Sequence, residues 1–146
     1  MRWGYITWMF FHTLAAKIPD DRYNDLKLDL LKYIKTFCAI LPCPNCAQHA
    51  TAYLSKIQPQ HVATKAMLKT MLYGFHNEVN KTKNVKPYAF ADLGKYESLN
   101  LPYLYTIFMQ EFFKPTHNQR LLMDSMARTR VMQQFKGWME ASKLLT

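Results

Sequence analysis

The chain is 146 residues long, 49% apolar and 14% aromatic, with 19 Lys+Arg against 10 Asp+Glu for a formal net charge of +9. That length suffices for a single core without metal or disulfide support, and three cysteines are too few for a disulfide scaffold. The positive charge would suit an anionic cofactor or membrane surface, but its scatter reads as a solvated surface rather than a nucleic-acid-binding face, and no stretch is apolar enough to span a bilayer.

Met1-Arg2-Trp3-Gly4-Tyr5 runs directly into patterned sequence without a secretory or transit segment, so the expectation is a cytoplasmic start. From Trp3 to Ile18, Trp8, Phe11, Leu14, Ala15 and Ile18 recur at three and four, the stripe of an amphipathic helix. Pro19-Asp20-Asp21 ends it. Leu26, Leu30, Leu31, Ile34, Phe37, Cys38 and Leu41 mark a second helix, which Pro42 stops; Cys38 on its apolar stripe reads as a small buried hydrophobe.

Leu41-Pro42-Cys43-Pro44-Asn45-Cys46-Ala47-Gln48-His49-Ala50 then places a C-x-x-C at the start of a third helix. Pro44 suits a first helical turn, and one turn brings Cys43 and Cys46 close enough for a disulfide. The free N–H groups of that turn favour a thiolate, with Cys43 at its mouth the better nucleophile. The spacing alone leaves three readings open: a redox pair, a zinc-stabilised binding module in which Cys38, Cys43, Cys46 and His49 are ligands, and unreactive buried cysteines.

Ala50, Tyr53, Leu54 and Ile57 carry the third helix toward Gln58-Pro59. A fourth is expected from about Gln60 to Lys81 through Val62, Met67, Met71, Leu72, Phe75, His76 and Val79, with an unusual Gly74 inside it that either weakens the helix or admits something bulky. Residues 86–100 read as a loop with a short helix. Leu101 to Phe113 is a dense apolar run, and Asn118 to Leu145 sets Leu121, Leu122, Met126, Val131, Phe135 and Trp138 against Arg120, Arg128, Arg130, Lys136 and Lys143, an amphipathic basic helix. With no strand alternation and short connections, the expected fold class is all-α: an antiparallel four-helix bundle with an additional C-terminal helical segment, divided at residues 1–97 and 98–146. The second part is too rich in Tyr103, Leu104, Ile107, Phe108, Phe112 and Phe113 to stay unpacked; it is expected to fold on the bundle or across an interface.

Three motifs stand in order: Trp8-x-x-x-His12-Thr13, Cys43-x-x-Cys46-x-x-His49 and His76-Asn77-Glu78-Val79-Asn80. Together, over residues 3–90, they resemble the Erv/ALR family of FAD-dependent sulfhydryl oxidases, most of all its short members from large DNA viruses. The resemblance implies a helical bundle holding FAD against the C-x-x-C, with Cys43 exchanging with a substrate dithiol, Cys46 facing the flavin, and O2 reduced to hydrogen peroxide. It implies cofactor contacts from Gly4, Trp8, His12, His49, Tyr73, His76, Asn77, Val79 and Asn80, with Lys83 and Lys86 toward the phosphates and Tyr88, Phe90 or Tyr96 near the adenine end. This chain departs from the family pattern at Tyr5, where an Arg is common, at Ile18, where an aromatic is common, and by an extra residue between Asn80 and Pro87. Larger members carry a second, shuttle cysteine pair; here only Cys38 remains, so thiol-bearing protein substrates must reach Cys43 directly or through a dithiol carrier. The resemblance further implies work in a host cytoplasm or virion and a homodimer formed through the first two helices, for which Phe10 and Tyr33, off the main stripes, are the expected contact residues.

Overall fold

The computed structural model describes residues 2–114 and 122–146; Asn118, Arg120 and Leu121 of the expected basic helix lie outside them, as does the side chain of Leu122. The described residues form helices and no strand: α1 (Arg2–Lys17), α2 (Tyr23–Ala39), α3 (Pro44–Leu54), α4 (Lys65–Thr82), α5 (Leu101–Phe112) and α6 (Leu122–Ser142). Short 3-10 turns cover Asp20–Arg22 and Pro59–Val62, and a longer 3-10 run spans Phe90–Ser98.

The stripes expected of the first two helices are inward: Phe11, Leu14 and Ala15 of α1, Ile18 just after it, and Leu26, Leu30, Leu31, Ile34, Phe37 and Cys38 of α2 are buried, with Trp8 half-buried. The fourth helix starts later than expected. Pro59 opens a 3-10 turn closed by Gln58 and His61, whose side chains each bond the other's backbone, and α4 begins only where the Thr64 hydroxyl accepts the Met67 N–H at 3.1 Å. At its other end Asn84 takes a left-handed φ of 55° and Val85 donates to the Asn80 carbonyl at 2.9 Å, a helix stop that turns the chain sharply after Lys83.

α1 packs on α4, α5 and the Phe90–Ser98 segment, while α2 packs on α3 and α6. Residues of α5 and α6 share one hydrophobic core with those of α1 to α4. Phe108 stacks on Phe10 with ring centroids 4.6 Å apart, and Phe135 stands edge-on to Phe37 at 4.7 Å and to Tyr33 at 5.1 Å. Phe10, Phe37, Phe108, Phe112 and Phe135 are all fully buried, each ring contributing on the order of 2 kcal/mol through removal from water. Here the sequence reading needs correcting. Phe10 and Tyr33, expected to lie off the core and to carry a dimer contact, are covered by the chain's own α5 and α6, and Tyr33 Oη donates to the Gln134 carbonyl at 3.2 Å. The outer face of α6 is charged as expected, with Arg130 and Lys136 exposed and Lys143 exposed just beyond its end, although Met126 is exposed as well.

Candidate active site

Pro44 supplies the first helical residue of α3, which leaves Cys43 as its N-cap in extended geometry. The Cys46 N–H donates to Cys43 Sγ at 3.2 Å, one of the otherwise unpartnered donors of a helix start. The two cysteines form a disulfide across a Cα separation of 5.2 Å. Cys46 lies on the wall of a cleft of 760 Å³, counting space open to solvent, while Cys43 is not part of that wall.

The cleft is cut between α1, α3 and α4. Trp3, Trp8, Phe11, Tyr53 and Phe75 give it flat aromatic sides, Gly4 and Val79 leave room along it, and His49, Glu78 and Lys83 bring polar ends. Its make-up, apolar walls with few polar groups, is that of small-molecule and cofactor sites. Glu78 also borders a shallower depression with Gly74, Asn77, Lys81 and Lys86. The turn at Asn84 therefore separates the two lysines: Lys83 faces the cleft and Lys86 the depression.

Behind the cleft buried His12 and half-buried His76 form a stack. His12 Nε2 and His76 Nδ1 share a hydrogen bond of 2.9 Å, and the Trp8 indole lies flat on the His76 ring, 4.1 Å away and 6° from parallel. Tyr96 stacks on His12 at 4.7 Å and Tyr88 on His76 at 5.2 Å, with Tyr88 and Tyr96 hydroxyls bonded at 2.9 Å. The Lys95 ammonium lies 5.3 Å from both tyrosine ring centres. Burial, reinforced by His76 and Lys95, pulls the His12 pKa down to about 3; burial and Lys95 pull His76 down to about 4. Both imidazoles are therefore neutral at physiological pH, one nitrogen donating and the other accepting in their shared bond.

Of the expected cofactor residues, Gly4, Trp8, His49, Val79 and Lys83 line the cleft, and Asn77 and Lys86 line the depression. The Asn77 amide holds the backbone of Tyr88 in both directions, accepting its N–H at 2.6 Å and donating to its carbonyl at 3.0 Å, while Asn80 donates to Asn77 at 3.5 Å. Tyr73 is turned elsewhere, its ring edge-on to exposed Phe90 at 5.2 Å. Gly74 has the Tyr53 hydroxyl 3.4 Å from where a Cβ would stand, so its immediate neighbour is that phenol. Sequence reasoning missed Tyr53 and Glu78 as cleft residues: Tyr53 read as one more stripe position, and Glu78 as the variable position of its motif.

Cys38 also touches the cleft but is buried, and burial pushes its thiol pKa up to about 12. No cluster of three metal-ligating side chains occurs among the described residues, and the sulfurs of Cys43 and Cys46 are bonded to each other. The zinc-module reading of Cys38, Cys43, Cys46 and His49 finds no support.

The site is thus a disulfide at a helix start with one of its two cysteines on the wall of an aromatic-lined cleft. The chain belongs to the Erv1/Alr family, whose model matches residues 5–96. It is 32% identical over 79 residues to a rice FAD-linked sulfhydryl oxidase, a match covering 54% of this chain and 40% of that protein. A putative FAD-linked sulfhydryl oxidase of Invertebrate iridescent virus 6 is 31% identical over 84 residues, covering 53% of this chain and 76% of the viral one. An African swine fever virus FAD-linked sulfhydryl oxidase is 29% identical over 92 residues, with 63% and 76% covered. The chain thus spans less than half of the plant relative and about three quarters of the viral ones. The family match ends before α5.

Proposed function

We propose that the chain is an FAD-dependent thiol oxidase that makes disulfide bonds in protein substrates. One observation carries the reading beyond family membership: of the two bonded sulfurs, Cys46 is the one on the cleft wall. A substrate thiolate attacks Cys43 Sγ, the Cys43–Cys46 bond breaks, and Cys46 leaves as a thiolate. A second substrate thiol then displaces Cys43, so the substrate leaves as a disulfide and the pair is left as a dithiol. The Cys46 N–H on Cys43 Sγ stabilises the charge that gathers there as Cys43 departs. FAD, when bound, would supply a two-electron acceptor for the dithiol, with O2 as the final oxidant and hydrogen peroxide as the product.

The cleft fits that group: aromatic side walls for a flat ring, a mostly apolar lining, and Lys83 for a phosphate. Gly4, Trp8, His49 and Val79 would hold the ring system. Lys86, Asn77 and Asn80, on or beside the adjoining depression, would hold the other end, with His12 and His76 fixing Trp8 from behind. Tyr73, packed on Phe90, is assigned no cofactor contact. Residues 1–97 would then carry the chemistry and 98–146 support it.

Thiol-bearing proteins, or a carrier dithiol, are the proposed substrates, because the described residues hold no second cysteine pair to relay electrons. No described helix is long and apolar enough to cross a membrane. The viral relatives suggest a host cytoplasm or virion as the setting, where a reducing glutathione pool makes a dedicated oxidase necessary.

Purified full-length protein should be yellow, with a flavin absorbance band and no stoichiometric zinc, and should consume oxygen with dithiothreitol. Colourless protein that cannot be loaded with FAD would overturn the proposal.

A further inference from the structure

Arg128 lies on α6, beyond the residues that match the family model. Its guanidinium reaches two helix ends at once: Nη1 donates to the Ile40 carbonyl and Nη2 to the Phe112 carbonyl. Ile40 is the C-cap of α2, and Phe112 is the last residue of α5. The flat group also covers the rings of Phe112 and Phe113, at 5.1 and 5.6 Å from their centres. Carbonyls at a helix end lack intrahelical partners and carry the negative end of the helix dipole, so a cationic fork is the side chain suited to hold two of them.

Only Leu41 and Pro42 separate Ile40 from Cys43. Leu41 is on the cleft wall beside Cys46, and Pro42 stiffens the link, so the place of Ile40 largely determines where Cys43 begins α3. The geometry points to Arg128 as a positioning residue for the Cys43–Cys46 turn: it anchors the end of α2 and offsets the negative charge of that end beside Cys43. The C-terminal extension thereby takes part in setting the reactivity of the disulfide without touching it. This inference rests on the reading of Cys43 and Cys46 as the redox pair.

Two consequences follow. With Ile40 released, the two sulfurs are less well held together, so the disulfide loses ground to the dithiol. With the cation gone, the thiolate of reduced Cys43 is less favoured. The test uses the full chain as wild type, Arg128→Ala and Arg128→Lys. The Cys43–Cys46 equilibrium is read in glutathione buffers by trapping and mass spectrometry, and the alkylation of reduced Cys43 is followed against pH.

Read at a pH below the alkylation midpoint, where both thiols are protonated and thiolate stabilisation does not enter, Arg128→Ala should shift the glutathione equilibrium toward the dithiol by about tenfold, or ~30 mV for this two-electron couple, and it should move the alkylation midpoint to higher pH. Arg128→Lys keeps the charge but not the fork, so it should restore the midpoint and not the equilibrium. Arg128→Ala with both readouts at wild-type values, even if it melts earlier, would leave a purely structural tie and overturn the inference. Should Arg128→Ala fail to fold, an unshifted equilibrium in Arg128→Lys would overturn it equally. Neither readout needs flavin or oxygen. A shifted equilibrium in a chain that binds no FAD would sink the oxidase proposal and leave this one standing, whereas a Cys43–Cys46 pair inert to glutathione at every ratio would sink both.

Discussion

His12 of α1 and His76 of α4 share a part-buried 2.9 Å hydrogen bond directly behind Trp8, and a proton on each ring would leave that bond with two donors and no acceptor. The groups facing them are Lys95 and Tyr96 of the 3-10 segment and Tyr88 before it; the ammonium adds to the cost of a second positive charge. The folded-state pKa values of about 3 and about 4 lie below the ordinary 6.5, so the unfolded chain binds more protons than the folded one between those limits. Stability should be full above pH 6.5 and fall as the pH drops toward 4, by up to about 1.4 kcal/mol per pH unit for each histidine. Thermal unfolding of the full-length protein between pH 5 and 7, above the range where carboxylates dominate, should show that slope. His76→Phe should make it shallower, and an unchanged slope would remove His76 as its source.

Cysteine chemistry should divide cleanly by position. Cys43→Ser and Cys46→Ser should each abolish dithiol-driven oxygen consumption while the protein stays folded and yellow, because each removes one of the two sulfurs that exchange. Cys38, with its thiol pKa pushed up to about 12, would be only about 1 part in 10,000 thiolate at pH 8 and is buried besides. In native protein reduced with dithiothreitol, an alkylating reagent should label Cys43 first and leave Cys38 unmodified until denaturant is added. Rapid native labelling of Cys38 would show that it takes part in exchange.

The inward stripes of α1 and α2 were legible because helical periodicity sorts each face from sequence alone, and Pro42 and Pro44 placed the disulfide at a helix start. What periodicity cannot tell is which partner covers a second apolar face. Phe10 and Tyr33 were visible as extra apolar positions, but only the folded chain puts Phe108 and Phe135 on them. The late start of α4 was hidden for a related reason: the Val62 stripe position is genuinely buried, yet it sits on a 3-10 turn, and the signal that mattered was the Thr64 cap. Tyr53 and Arg128 escaped because a long side chain acts far from its own stripe.

Trp8 ties the histidine pair to the cleft, with one face on His76 and its side chain on the cleft wall. Trp8→Ala should therefore remove an aromatic wall and loosen the stack behind it, lowering flavin content of purified protein by tenfold or more while α1 remains helical by circular dichroism. Lys83→Ala, which removes only a cation at the cleft's end, should weaken FAD binding less and in a salt-dependent way. Equal flavin occupancy in wild type and Trp8→Ala would move the cofactor site away from this cleft.

A face of α1 and α2 bearing Phe10, Tyr33 and Phe37 would make a self-complementary patch if left bare, the kind of surface through which two copies pair. In this chain Phe108, Phe112, Phe135 and Met139, all buried, fill that position from the same polypeptide. The full-length protein should accordingly behave as a monomer by light scattering at micromolar concentration. Deleting residues 118–146 removes Phe135 and Met139, bares Tyr33 and part of Phe37, and should drive the truncated chain into dimers or larger species. Phe135→Ala, which leaves α6 in place but opens a cavity among six aromatic rings, should cost about 3–5 kcal/mol and lower the melting temperature without changing association. A full-length dimer at the same concentration would mean that the chain pairs through another surface, and the exposed Tyr5 and Tyr103 would be the first residues to change.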